Sequence, residues 1–142
     1  MVPQESLSIH NLETEKAVLG CILIDENVYD LVKDFIPESD VFYNTKNKEI
    51  WETMSKLRKE NIPVDTVNVA SKMKGEAFYI TGLLETVPTK HNAISYARQM
   101  NSDWLRRKLV VQSQKIAAKA IDNNKDINTL LGLGSLGQQQ AQ

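Results

Sequence analysis

Apolar side chains recur along this chain at three- and four-residue intervals and almost never alternate at two, so the pattern predicts helices. Asn11 caps a first helix running to about Ile24. Glu13 and Glu15 suit the positive end of its dipole, and Leu12, Leu19 and Leu23 form its apolar face. A second helix starts near Glu26 and carries Val28, Leu31, Val32, Phe35 and Ile36 as one core-facing stripe, until Pro37 ends it. Asp40, Val41, Phe42 and Tyr43 form a short loop. A third helix from about Asn44 to Glu60 buries Ile50, Met54 and Leu57 and closes at Asn61 and Pro63. Asp65 or Thr66 then caps a brief helix with Val67, Val69, Ala70 and Met73, and Gly75 separates it from another over Glu76 to about Thr86. Val67 and Val69 would also suit a strand, but no second strand is available to pair with it.

Val87, Pro88 and Thr89 make the next break, and from about Asn92 to about Asn123 neither Gly nor Pro interrupts the helical pattern. Such a helix measures roughly 45 Å, more than a small head can cover, so part of it should project. Leu105, Leu109, Ile116 and Ala120 share one seam, and Val110, Ala117 and Ile121 a second seam about 100° round the axis. Two seams call for two partners. Lys108, Gln112, Lys115 and Lys119 hold the remaining face, turned to solvent or to an anion. Periodicity then fails at Gly132, Gly134, Ser135, Gly137 and the run Gln138 to Gln140, the composition of a linker. The expected organisation is all-α: a helical head over 1–90, a long helix over 91–126, and a linker or disordered tail over 127–142.

At 142 residues with 42% hydrophobic and 25% charged, the chain suits one globular unit that needs neither disulfides nor metal. Cys21 is its only thiol, which excludes an internal disulfide and fits a reducing cytoplasm. The longest apolar run, Ala17 to Ile24, is far too short to span a bilayer and has no basic region ahead of it, so no membrane segment or secretory signal is expected. Residues 1–89 carry 15 acids against 9 bases, and residues 90–142 carry 3 acids against 8 bases. That asymmetry points to charged partners, either nucleic acid or the opposite end of another copy.

Candidate chemistry is sparse. Gly132-Leu133-Gly134-Ser135-Leu136-Gly137 has the spelling G-x-G-x-x-G, but no strand precedes it and no acid follows to hold a ribose, so it reads as linker. No GxxxxGK[ST] loop is present, and neither binding nor hydrolysis of ATP is expected of this chain. His10, His91 and Cys21 lack ligand spacing; Cys21 reads as a small buried hydrophobe, and each histidine as a helix lead-in. Neither catalytic residues nor a metal or cofactor site is expected.

Glu26, Asp30 and Asp34 form an acidic row, read as a solvated face, with a docking strip for a basic surface as the alternative. Trp104 beside Arg106-Arg107-Lys108 has the composition of single-strand binders, although a Trp on a helix seam is more often core or interface. With the second seam, these make Trp104, Arg106, Arg107, Val110, Ala117 and Ile121 the candidate partner or oligomer surface.

The segment Asn11-Leu12-Glu13-Thr14-Glu15-Lys16-Ala17-Val18-Leu19-Gly20 resembles the start of the N-terminal domain of DnaB-family replicative helicases. Later segments fit in order: Asp40-Val41-Phe42-Tyr43, then Asn61-Ile62-Pro63-Val64-Asp65-Thr66-Val67, then Val87-Pro88-Thr89 with Asn92 and Tyr96-Ala97. The resemblance runs from about residue 7 to about residue 125. It implies an all-helical head followed by a helical hairpin, with hairpins pairing domains into dimers and three dimers forming a collar that binds primase or a loader. The family's ATP and Mg belong to a separate motor domain, so no catalytic residue carries over. Between Met73 and Ala77 the chain is shorter than the family. Only Ile127, Leu130 and Leu131 fit a second hairpin helix, which predicts a concentration-dependent dimer and not a stable hexamer. A second reading is a small nucleic-acid-binding regulator that uses the basic helix, with a steep salt dependence as its signature.

Overall fold

The computed structural model describes residues 9–86, 90–122 and 126–132. All regular structure among them is helical: α1 (Leu12–Ile24), α2 (Val28–Val32), α3 (Thr45–Lys59), α4 (Thr66–Lys72), α5 (Ala77–Gly82), α6 (Lys90–Ile121) and α7 (residues 127–132), with 3-10 turns at Lys33–Phe35, Ser39–Val41 and Leu83–Thr86. Ile9–Trp104 forms one compact unit, and the described residues from Leu105 onward belong to a second.

In the first unit α1 is the central element. Nine of its thirteen residues are buried, on every side of the helix, so the single apolar face expected of Leu12, Leu19 and Leu23 is too narrow. Leu12 is itself exposed, whereas Val18, Leu19 and Ile22 are fully buried. The helix packs against α2, α3 and the 3-10 turn Leu83–Thr86, which explains burial all round.

Cap chemistry sets the starts of the helices. Asn11 Oδ1 accepts the Thr14 N–H at 3.1 Å, Asn44 Oδ1 the Asn47 N–H at 3.0 Å, and Asp65 Oδ1 the Asn68 N–H at 2.8 Å, which resolves the Asp65 or Thr66 alternative. α3 stops in a left-handed cap: Asn61 has φ of 59° and the Ile62 N–H reaches the Leu57 carbonyl at 2.9 Å. Lys56, Arg58 and Lys59 in its last turn complement the dipole.

Two further positions expected in the core are on the surface, as Leu12 is. α2 tightens into the 3-10 turn Lys33–Phe35, and Val28, Val32 and Ile36 are buried while Leu31 is half exposed at the flank. α4 buries Val69 but leaves Val67 exposed, since neighbouring helical residues point about 100° apart and a turn this short covers one line of contact. α6 gives Ala93, Ala97, Met100 and Trp104 to the core of the first unit. Residues 127–132, expected as the start of the linker or disordered tail, are helical instead, with Leu130 buried. Residues 133–142, with the rest of the glycine pattern, lie outside the described residues, as do Val87, Pro88 and Thr89.

Candidate functional site

The second unit contains the outer part of α6, several of whose apolar side chains are exposed. Leu105, Leu109 and Ile121 are 52%, 66% and 80% exposed, Ala117 and Ala120 are exposed, and Val110 and Ile116 are half-buried. Ile127 and Leu131 on α7 are exposed as well. Arg106 is exposed and Arg107 half-buried. Five of the six candidate surface residues therefore share this stretch. The sixth, Trp104, lies in the core of the first unit at 8% exposure, so the stacking platform suggested by its basic neighbours is absent from the surface.

The acidic row is answered from within. Arg58, on α3, pairs with Asp30 and lies 3.9 Å from Glu26, Lys33 lies 3.5 Å from Asp30, and the Glu26 carboxylate accepts the Val64 N–H at 2.8 Å. The hydrogen bond from Arg58 holds the Asp30 carboxyl below its ordinary pKa. Asp30 and Asp34 are exposed, as the solvated-face reading expects, while Arg58, 28 residues from Asp30 in sequence, also uses Asp30 to tie α2 to α3.

A buried carboxylate was not foreseen. Glu15 is 2% exposed and accepts hydrogen bonds from Tyr43 N (2.8 Å), Asn44 N (3.3 Å) and Asn47 Nδ2 (3.0 Å). In a capping box the third residue of a helix reaches back to the N–H of its own cap. Here the third residue of α3 is Asn47, and a carboxylate from α1 performs that reach in trans. Tyr79 extends the network by donating to Asn47 Oδ1 at 2.5 Å, while Lys46 stands over its ring at 4.8 Å. Burial, followed by the charge of Glu15, raises the Tyr79 pKa.

Beside Tyr79 lies an open cleft of about 470 Å³, lined by Lys16, Lys46, Glu76, Phe78 and Leu83. Phe78 is 94% exposed, but Lys46 is paired with Glu76 at 3.0 Å and Lys16 lies 3.9 Å from Glu13, so the cleft offers no net charge to a ligand. Cys21 is buried, which pushes its thiol pKa up. His10 stacks on Tyr43 at 3.9 Å, and the side chain of His91 lies outside the described residues. Among the described residues no group of three or more His, Cys, Asp or Glu could hold a metal, and no helix is long and apolar enough to cross a membrane.

Residues 8–102 match the family model described as the DnaB-like helicase N terminal domain. The chain is 27% identical over 135 residues to the replicative DNA helicase DnaC of Bacillus subtilis (strain 168), a match covering 89% of this chain and 30% of that protein. It is 28% identical over 116 residues to the replicative DNA helicase DnaB of Pasteurella multocida (strain Pm70), covering 76% of this chain and 25% of that one. The chain thus spans less than a third of the length of these curated relatives. A crystal structure of the N-terminal domain of DnaB helicase from Mycobacterium tuberculosis superposes with a TM-score of 0.77 at 23% identity, covering 87% of this chain and 95% of that one, and so shares its fold.

Proposed function

The chain belongs to the family of DnaB-like helicase N-terminal domains, and from that premise we propose that it is the interaction and oligomerisation domain of a cytoplasmic replicative helicase. In this reading it would pair with a second copy, contribute to a collar, and present that collar to primase or a helicase loader. It would catalyse nothing itself, and ATP and Mg would act in a motor domain elsewhere in a longer protein.

The observation that carries the reading is the apolar exposure of α6 beyond Trp104, above all Ile121 at 80%. Apolar side chains at helical spacing on a well-formed helix gain by burial against a partner of the same kind, and a two-fold pair is the simplest partner. Wild-type chain is expected to sediment as a concentration-dependent dimer. Val110→Asp with Ile121→Asp would place charges in the joined seam, at a cost of several kcal/mol, and should leave a monomer of unchanged helicity by circular dichroism. An unchanged dimer would sink the assignment of this seam.

A further inference from the structure

Phe78 is 94% exposed, more than any other large apolar side chain among the described residues. It borders the cleft beside Tyr79, whose other apolar lining is Tyr79 itself and the buried Leu83. Gly82 follows Phe78 by one helical turn, about 6 Å along the axis of α5 and about 40° round it. A Cβ added at Gly82, or at Gly75 in the same lining, would meet nothing within 4 Å. A projecting ring and an empty recess therefore lie side by side. Around them stand two cations, Lys16 and Lys46, and two acids, Glu76 and Glu85. The 3.0 Å ion pair keeps Lys46 at the Glu76 end of α5, and Glu85 lies at the other end, in the turn Leu83–Thr86.

We propose that this cleft pairs with the same cleft of a second copy about a two-fold axis, each Phe78 entering the recess at Gly82 of the other chain and lying against its Tyr79 and Leu83. The mixed rim selects that occupant. A strongly charged partner of either sign gains nothing from a cleft of balanced charge, whereas a copy turned end to end brings opposite signs together. An axis midway between Phe78 and Gly82 places Glu85 as far beyond it as Lys46 and Glu76 stand before it, so the Glu85 of one copy comes beside the Lys46 of the other. Each contact is made twice, as a two-fold pair requires. Two rings in two small clefts bury less than the roughly 1,200 Å² of a standard interface, so the pairing is weak and depends on concentration. The contact lies wholly within the first unit and uses none of the α6 seam. The two associations therefore hold or fail separately.

The test is sedimentation equilibrium of the full chain carrying Val110→Asp and Ile121→Asp, from about 20 μM to about 1 mM, with helicity followed by circular dichroism. This parent is expected to be a monomer at the low end and to pair at the high end, with a Kd of roughly 0.1 to 0.5 mM. Phe78→Ser removes the ring and Gly82→Leu fills the recess, so each alone should weaken pairing at least about tenfold. Both positions face open space, so helicity should not change. Combined in one chain, the two substitutions exchange the places of ring and recess, and pairing should return to within about fivefold of the parent. Glu85→Lys sets like charges together and should weaken pairing several-fold, less so at high salt. Val67→Ser, at an exposed apolar position outside the cleft, should change nothing. The same variants are compared in the chain without the α6 substitutions, so a failure of the α6 seam leaves the result readable. The proposal is overturned by a parent that stays monomeric at the highest concentration, by either single variant pairing as tightly as the parent, by no recovery in the combined variant, or by an equal loss in Val67→Ser.

Discussion

Glu15→Ala is expected to destabilise the first unit by about 3 to 5 kcal/mol, the range for breaking a buried, hydrogen-bonded charge. The substitution strands three donors: Tyr43 N–H, Asn44 N–H and the Asn47 side-chain amide. Each stranded donor costs about 1 to 3 kcal/mol, less what entering water restores. The loss falls at one joint, because α1 and the start of α3 are tied through this carboxylate and Tyr79 hangs on the same amide. Thermal unfolding followed by circular dichroism should show a fall of roughly 15 to 25 °C. Glu15→Gln keeps the shape but replaces one acceptor with a donor, so it should lose about half as much. A loss below 1 kcal/mol for the alanine variant would show that the three donors find other partners.

Trp104→Ala is expected to cost about 3 to 5 kcal/mol, as buried Trp truncations do. Trp104 continues the line of Ala93, Ala97 and Met100 into the core. If its work is internal, the unfolding midpoint drops even at concentrations where the chain is monomeric. If its work were to join copies, dissociation would change and monomer stability would not. Urea unfolding measured at several protein concentrations separates these outcomes, and an unchanged midpoint at the lowest concentration would overturn the core assignment.

Those two residues mark where the reach of local sequence pattern stops. Helix starts were legible because caps are local: Asn11, Asn44 and Asp65 each bond to an N–H three residues on. Ile50, Met54 and Leu57 were legible because a helix of fifteen residues repeats its period often enough to be read. Leu31 and Val67 misled because α2 and α4 are too short for period to decide which side is covered. Glu15 was assigned to the dipole of its own helix, and nothing within a few residues of it points to Asn44 or Asn47. Arg58 answers Asp30 from 28 positions away. In both cases the partner is chosen by tertiary packing, which one sequence does not display. On the outer part of α6, the exposure of the face of Lys108, Gln112, Lys115 and Lys119 followed from spacing alone, whereas the burial of Trp104 depended on where the first unit ends.

The placement of Cys21 supplies a clock for the whole unit. It is the only thiol in the chain, and it sits 3% exposed in a helix covered on every side. An alkylating reagent reaches it only when α1 leaves its surroundings, so labelling counts excursions of the entire fold and ignores fraying at helix ends. While reclosing outruns alkylation, the labelling rate tracks the equilibrium between closed and open forms. Each tenfold acceleration in a variant then corresponds to about 1.4 kcal/mol of lost stability, read under native conditions without denaturant or heat.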